Sequence, residues 1–292
     1  MGNRTQQIAG IDKKDIMNRR LADNYWKKEE LKLPDHYRMV SAGAFQDNIR
    51  IERLLLGNKM EVLGKDSFRH CIALREARLP HSVERLGEGC FADCPRLREA
   101  YMSQNLQAIP NSAFRENRRL EKILFTKNCK VERIGKDAFS ECVQLPVILL
   151  PPSVTEIGDR AFFRCKELKR VRFPEGLKRI GKEAFYFCGL ESLELPESLE
   201  ILDEKAFFKC TQLTEVRLPT HIRRIEKWVF HGCSRLQVLE IRHDPEYIGE
   251  WIINKAARIR CFRGSKVDAY CQESGFTVEY LEDDMEGEKP EL

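Results

Sequence analysis

The sequence predicts an α/β solenoid built from short repeats, and two observations support that prediction. An Ala-Phe pair recurs along the chain, followed by Cys and then Leu at three-residue steps, as in the segment Ile157–Pro174 (IGDRAFFRCKELKRVRFP). The phenylalanines of this motif are spaced by 23, 23, 23, 25, 23, 23, 22 and 23 residues. They are Phe45, Phe68, Phe91, Phe114, Phe139, Phe162, Phe185, Phe207 and Phe230. A fixed period in the twenties with leucine-rich strand segments is typical of a leucine-rich repeat, here a curved right-handed coil with parallel β-strands on its concave face.

Each repeat divides into a strand half and a return half. In Leu168–Phe173, Val171 and Phe173 share one face of the strand while Arg170 and Arg172 share the other, because side chains alternate along a strand. A proline often follows the strand and ends it, since proline removes a ladder donor. The return half carries the Ile-Gly and Ala-Phe pairs and is too short for a regular helix. We therefore expect short turns or 3-10 segments on the convex face.

Two repeats depart from the 23-residue period. The spacing of 25 comes from extra residues near Lys127 to Lys130, and the spacing of 22 comes from a missing residue between Cys188 and Leu190. Loops absorb such changes at little cost in free energy. The array is therefore expected to continue through both positions.

The N-terminal residues 1–30 are expected to form a helical cap. Asp12 is placed to cap a helix that begins near Ile11 and runs towards Glu30. Its apolar stripe at roughly helical spacing consists of Ile16, Leu21 and either Tyr25 or Trp26.

The remaining chain divides into a repeat array, a cap and a tail. The array is predicted over 31–262, and a C-terminal helix-strand cap over 263–281. Ser265 is the expected N-cap of that helix and Gly275 its expected end. Terminal repeats need caps because their inner faces have no neighbour. Residues 282–292 are acidic and are predicted to be disordered.

The repeated pattern can be written (L/V)-P-x-x-(V/L)-x-x-I-G-x-x-A-F-x-x-C-x-x-L, and the chain ends with Arg263-Gly264-Ser265 through Gly275-Phe276. In both features it resembles the BspA-like leucine-rich repeat family, over about Leu31 to Leu281. The resemblance implies the solenoid fold. It also implies a bacterial protein of the surface or secreted kind that binds other proteins. The family has no catalytic residues, so none are implied here.

Composition and charge narrow the classes of function. The chain is 42% hydrophobic and 33% charged. Its formal net charge of +4 is too small for this length to indicate nucleic-acid binding. No apolar run has the length of a signal peptide or a membrane span, so no membrane insertion is expected. We expect a cytoplasmic monomer. The alternative is a cell-surface or secreted protein exported by a route that is not visible in the sequence.

The cysteines are expected to be reduced and structural. Their number, 11, is odd, and most of them share one repeat phase. Seven of the nine Cys slots hold cysteine, namely Cys71, Cys94, Cys142, Cys165, Cys188, Cys210 and Cys233. Asn48 and Asn117 fill the other two slots. Because asparagine is also a donor, the slot is best explained by a small buried group that meets a backbone carbonyl.

No constellation for catalysis, a metal or a cofactor stands out. The six histidines do not converge, and His36 and His221 share a repeat phase but lie about 40 Å apart at strand spacing. No nucleophile motif and no glycine-rich phosphate loop is present. The sequence therefore predicts no catalytic residues, no metal and no cofactor.

Candidate binding residues lie on the concave face, defined here as the outward residues that flank the central residue of each strand. Most of these positions are charged, but one region is apolar. The candidate partner-binding residues are Leu55, Tyr101, Leu124, Val147, Leu149, Arg170 and Arg172. An exposed apolar cluster on a charged face suits an interface core with a polar rim. The alternative is that the N-terminal segment or a side loop covers the cluster. The alternating Arg and Glu from Arg170 to Glu240 are expected to pair with one another.

These features favour non-catalytic recognition of an unidentified protein partner through the concave face. The alternative from another class is binding of a carbohydrate or surface polymer, which would favour exposed aromatic residues. The concave face offers only Tyr101 for that purpose. An enzyme is the third possibility, and no residues support it.

Overall fold

The computed structural model describes residues 10–282, which form a solenoid of stacked coils joined by parallel β-ladders. Strands pair in parallel with strands one repeat away, as in the register of Ile123 with Ala100. Each regular coil supplies one strand to the concave face and a shorter strand to its return half. The predicted leucine-rich repeat solenoid is confirmed.

The strands are two to four residues long, and helices are few. The helices are α1 (Arg19–Ala22) and α2 (Lys266–Ser274), and 3-10 turns cover Lys13–Asp15 and Asp23–Tyr25. In chain order the strands are β1 (Ile16–Met17), β2 (Glu30–Lys32), β3 (Met39–Val40), β4 (Arg53–Leu55), β5 (Val62–Leu63), β6 (Glu76–Arg78), β7 (Arg85–Leu86), β8 (Glu99–Tyr101), β9 (Ala108–Ile109), β10 (Lys122–Leu124), β11 (Arg133–Ile134), β12 (Val147–Leu149), β13 (Glu156–Ile157), β14 (Arg170–Arg172), β15 (Arg179–Ile180), β16 (Ile201–Leu202), β17 (Glu215–Arg217), β18 (Arg224–Ile225), β19 (Val238–Glu240), β20 (Tyr247–Ile248), β21 (Arg258–Cys261) and β22 (Thr277–Tyr280).

The concave ladder consists of three separate sheets, β2-β4-β6-β8-β10, β12-β14 and β17-β19-β21-β22. In most of these strands the central residue is buried and its two neighbours point outward, as in β12, where Ile148 is buried and Val147 and Leu149 are exposed. This alternation follows from the two-residue side-chain period of a strand.

The two breaks in the concave ladder coincide with the two irregular repeats. In a regular coil the residue before the strand donates its N–H to the preceding coil, as Glu121 does to the Arg98 carbonyl at 2.8 Å. Pro146 holds this position before β12 and has no N–H to donate, so β12 does not pair with β10. The second break follows β14, where the repeat is one residue short and Ser192–Glu194 forms no strand. The pair β12-β14 is therefore separated from the rest of the concave ladder.

The return half contains turns, as expected, together with a second ladder of two-residue strands. This return ladder forms two sheets, β1-β3-β5-β7 and β20-β18-β16-β15-β13-β11-β9. In this ladder, the residue after the Ile slot (the isoleucine of the Ile-Gly pair) donates its N–H to the preceding coil. Gly158, for example, donates to the Ile134 carbonyl at 2.8 Å. Pro110 occupies the same position after β9 and cannot donate, and the ladder breaks between β7 and β9.

The phenylalanines of the motif form one continuous column through the core. All nine side chains are fully buried, and neighbouring rings are stacked with centroids 5.1 to 5.5 Å apart and interplanar angles of 2° to 13°. The centroid spacing is close to the separation of neighbouring strands. The column therefore bridges every break in either ladder between Phe45 and Phe230.

The N-terminal residues differ from the long helix expected over 11–30. The only α-helix there is the four-residue α1, and its N-cap is Asn18, whose Oδ1 accepts the Leu21 N–H at 3.0 Å. Asp12 makes no capping hydrogen bond with its side chain. Residues 1–9 lie outside the described part of the chain.

This N-terminal segment forms a further coil of the solenoid because its apolar residues fill repeat positions. Met17 pairs in register with Val40, in the position of the Ile slot. Met17 and Ala22 are fully buried. The residues of the predicted stripe, Ile16, Leu21, Tyr25 and Trp26, are only partly buried, so their spacing does not mark the buried face of a long helix.

At the other end, α2 is followed by the edge strand β22, which pairs in parallel with β21. Ser265 is the N-cap of α2 and accepts the Asp268 N–H at 3.1 Å, and Gly275 at the C-cap has φ of 68°. Residues 283–292, which make up nearly all of the predicted acidic tail, lie outside the described residues. The division of the chain into caps and array stays a prediction.

Candidate interaction surface

The Cys slot serves the fold. The Cys165 thiol donates to the Phe139 carbonyl at 3.2 Å, and six other slot cysteines make the equivalent contact at 3.1 to 3.3 Å. In the same slot, Asn117 Nδ2 donates to the Phe91 carbonyl at 3.0 Å. All eleven cysteines lie within residues 10–282 and are free and buried. Burial raises the pKa of Cys71 to about 12, so this thiol stays protonated at neutral pH and is a poor nucleophile.

The concave face carries a contiguous apolar cluster, named here the apolar patch and formed by Leu124, Val147 and Leu149. Their exposed fractions are 38%, 41% and 56%. Leu124 lies on β10, and the other two lie on β12 in the next coil. Neither the N-terminal coil nor a side loop within residues 10–282 buries these side chains.

Tyr101 borders the apolar patch but is not a free apolar surface. It lies beside Leu124 in register and is half-buried. The Arg78 guanidinium covers the ring at 3.9 Å from its centroid, and Lys122 Nζ lies 5.9 Å away. The Tyr101 hydroxyl donates to the Glu99 carboxylate, and this hydrogen bond is the main cause of its raised pKa.

Leu55 is exposed but stands apart from the apolar patch. Its exposed fraction is 46%, and it lies on β4, two coils before Tyr101. The intervening strand β6 carries Arg78, which is exposed and paired with Glu76 at 2.8 Å. The structure therefore places Leu55 outside the cluster that contains Leu124 and Leu149.

Arg170 and Arg172 flank the apolar patch on its other side. They lie on β14, where Arg170 pairs in register with Val147 and Arg172 with Leu149. Both side chains are exposed. Within residues 10–282 neither side chain takes part in an ion pair or a hydrogen bond.

The C-terminal part of the concave face is self-paired around Glu240. This carboxylate is 5% exposed and contacts Arg242 at 2.6 Å, Arg260 at 2.9 Å and Arg217 at 3.5 Å. Burial opposes its ionisation, but the hydrogen bonds from Arg242 and Arg260 outweigh burial and leave its pKa lowered. The charges around Glu240 pair with one another, as predicted for the alternating Arg and Glu from Arg170 to Glu240. For Arg170 and Arg172 that prediction is wrong, because neither forms an ion pair within residues 10–282.

A second surface consists of aromatic residues directly after the Phe slot of four successive coils. This aromatic strip is formed by Phe163, Tyr186, Phe208 and His231, whose stacked rings lie 4.9 to 5.8 Å apart. Trp251 meets His231 edge-on at 6.3 Å and is 45% exposed. The concave columns do not include these positions, but a search for aromatic residues at a constant offset from the Phe slot finds the strip.

The described residues contain neither a cluster suited to a metal ion nor a helix that could span a membrane. No cluster of three or more His, Cys, Asp or Glu side chains within 10–282 is placed to hold a metal ion. None of the helices in that range combines the length and apolarity needed to cross a membrane.

Stacked coils with a buried Phe column and a leucine-rich concave ladder define a leucine-rich repeat protein. The family profile described as "BspA type Leucine rich repeat region (6 copies)" matches residues 22–145 and 132–260. The chain therefore belongs to the BspA-type leucine-rich repeat family. The family and its fold are typically non-enzymatic.

Solved structures of bacterial leucine-rich repeat proteins are similar to this chain in fold. A leucine-rich repeat protein from Bacteroides ovatus is 19% identical, with 87% of this chain and 84% of that chain covered and a TM-score of 0.54. The pneumococcal vaccine antigen PcpA is 16% identical over 87% of this chain and 80% of its own, with a TM-score of 0.47. A search of curated proteins gives no match.

Proposed function

We propose that this protein is a non-catalytic recognition module that binds a protein partner through its concave face, centred on the apolar patch. The observation that carries the proposal is the exposure of Leu124, Val147 and Leu149 in neighbouring coils of a face on which most outward positions are charged. Monomeric proteins rarely expose large contiguous apolar patches, and those that do occur often mark interaction sites. Tyr101 and the flanking arginines supply the polar rim that such interfaces have.

The test is a comparison of partner recovery by the wild type and by a variant with Tyr101→Ala, Leu124→Glu and Leu149→Glu. Carboxylates at two patch positions would have to be desolvated on binding, so recovery of a specific partner should fall strongly. A matched control is Ile49→Glu, which places a carboxylate at a 56% exposed apolar residue outside the concave strands. Equal recovery by the triple variant, folded by circular dichroism, would remove the apolar patch from consideration.

The aromatic strip favours a second candidate, binding of a carbohydrate or surface polymer on the convex side. Sugar rings pack against the faces of aromatic side chains, and Trp251, beside the His231 end of the strip, is 45% exposed. A glycan array probed with the wild type and with Trp251→Ala tests this candidate. We expect the glycan signal to fall in the variant, and a signal that survives the substitution would contradict a site at Trp251.

A further inference from the structure

We propose that the segment of the partner that docks on the apolar patch is acidic, with Asp or Glu side chains beside apolar ones. The inference rests on the proposed function and adds the chemistry of the partner. It is drawn from the ion pairing of the arginines in the concave strands. Arg170 and Arg172 form no ion pair within residues 10–282, whereas every other arginine of these strands forms one.

The other concave arginines already have carboxylate partners. They are Arg53 with Glu30 at 3.1 Å, Arg78 with Glu76 at 2.8 Å, Arg217 with Glu240 at 3.5 Å, Arg258 with Glu279 at 2.9 Å and Arg260 with Glu240 at 2.9 Å. Arg170 and Arg172 form no ion pair within residues 10–282. The two guanidiniums without an internal carboxylate thus lie directly beside the apolar patch.

The lack of partners follows from the residues in the neighbouring coils. Along the stack, the column that contains Arg170 runs through Lys122 and Val147 before it and Ser192 after it, and none of these is acidic. Arg172 is preceded by Leu149 and followed by Glu194. Glu194 lies in the segment that does not join the ladder, and it forms no ion pair with Arg172.

The geometry suits recognition of carboxylates. Arg170 and Arg172 lie two residues apart on one strand and point to the same face, so their Cα atoms are about 7 Å apart. Guanidinium groups bind carboxylates through two parallel hydrogen bonds. Lys122, on the far side of Val147, adds a third positive charge and also lacks an ion pair within residues 10–282. Apolar side chains of a partner on Leu124 and Leu149 would exclude water and strengthen these contacts.

The experiment selects short random peptides, displayed on phage, against the full chain and then measures the affinity of the selected peptides. Peptides that bind at the patch should be enriched in Asp and Glu next to apolar residues. The variant Arg170→Gln/Arg172→Gln should weaken them by at least about tenfold, which is the scale of one lost charge-assisted hydrogen bond. Their affinity should also fall as the salt concentration rises.

Two control variants make the outcomes distinguishable. Arg217→Gln/Arg258→Gln removes the same charge from two arginines that are already paired, and it should leave peptide affinity nearly unchanged. Leu124→Ser/Leu149→Ser removes two of the three apolar side chains of the patch without adding charge, and it should abolish binding.

Peptides that need the two leucines but lack acidic residues, or that bind Arg170→Gln/Arg172→Gln as well as wild type, would overturn this inference and leave the proposed function intact. A failure to select any peptide that is sensitive to Leu124→Ser/Leu149→Ser would overturn both.

Discussion

At the residue scale, Phe162 shows how a single repeated side chain stabilises the array. Its ring is fully buried between Phe139 at 5.3 Å and Phe185 at 5.1 Å. Phe162→Ala should lower the free energy of unfolding by about 3–5 kcal/mol, because it opens a cavity in the middle of the column. Urea denaturation measures the loss. Phe187→Ala, at a ring that is 36% exposed, is the matched control and should cost much less. Equal losses for the two variants would contradict the stacked column.

Because several thiols are buried, the free energy of unfolding should depend on pH in the alkaline range. Burial raises the pKa of Cys71, Cys90 and Cys233 from 9.0 to about 12. Above pH 9 the unfolded chain loses thiol protons that the folded chain keeps. The free energy of unfolding should therefore be unaffected by these groups below about pH 9 and fall as pH rises towards 12. The comparison is urea denaturation at about pH 8 and about pH 10.5. Cys71→Ser keeps a donor for the Phe45 carbonyl and removes one titrating thiol, so its decrease should be smaller. An identical decrease in wild type and variant would be inconsistent with a titrating Cys71.

The residue scale is also where the sequence was most informative. The equivalence of Cys and Asn in one slot predicted a donor to a backbone carbonyl, and the distances from Cys165 and Asn117 agree with that prediction. Rotation of the Arg78 guanidinium over Tyr101 could not be predicted, because it depends on side-chain conformation across two coils. For the same reason, the sequence could not distinguish Arg170 and Arg172, which form no ion pair within residues 10–282, from the concave arginines that do.

At the element scale, the return ladder depends on close contact between backbones at the Ile-Gly pair. A Cβ on Gly158 would lie 2.8 Å from the Ile134 oxygen and 2.9 Å from the Gly135 carbonyl carbon, both of which are backbone atoms. Gly158→Ala should therefore cost about 1–3 kcal/mol, since the neighbouring coil must shift. Gly176→Ala is the control, because the nearest atom to its Cβ is 3.8 Å away. Urea denaturation of both variants decides the matter, and an unchanged stability of Gly158→Ala would show that the coils do not depend on this contact.

The strands of the concave face could be predicted from the sequence, but the pairing between them could be predicted only in part. Alternation in segments such as Leu168–Phe173 predicted the strand and its buried side, and β14 occupies its centre. The return strands escaped prediction because two residues are too few for a periodic signal. The breaks at Pro110 and Pro146 follow from the missing N–H, but they can be recognised only once the donor positions of the ladders are known.

At the scale of the whole molecule, the two ladders compensate for each other. The concave ladder is interrupted between β10 and β12 and again after β14, where the return ladder runs unbroken from β9 to β20. The return ladder is interrupted between β7 and β9, where the concave ladder runs unbroken from β2 to β10. The Phe column passes through all three positions. Every pair of neighbouring coils from Phe45 to Phe230 is thus joined by at least one ladder and by stacked rings.

This arrangement predicts that the chain unfolds in one cooperative transition despite the divided concave sheet. In repeat proteins, cooperativity depends on the interfaces between neighbouring units. Here every interface between neighbouring coils from Phe45 to Phe230 contains at least one of the two ladders. The measurement uses tryptophan fluorescence from opposite ends of the array. Trp228→Phe/Trp251→Phe leaves Trp26 as the N-terminal probe, and Trp26→Phe leaves the C-terminal pair. In each variant the fluorescence transition in urea should coincide with the circular dichroism transition of that same variant. A Trp26 signal that changes at lower urea than the circular dichroism would show that the N-terminal coils separate first, and the compensation between ladders would then be too weak to join the array.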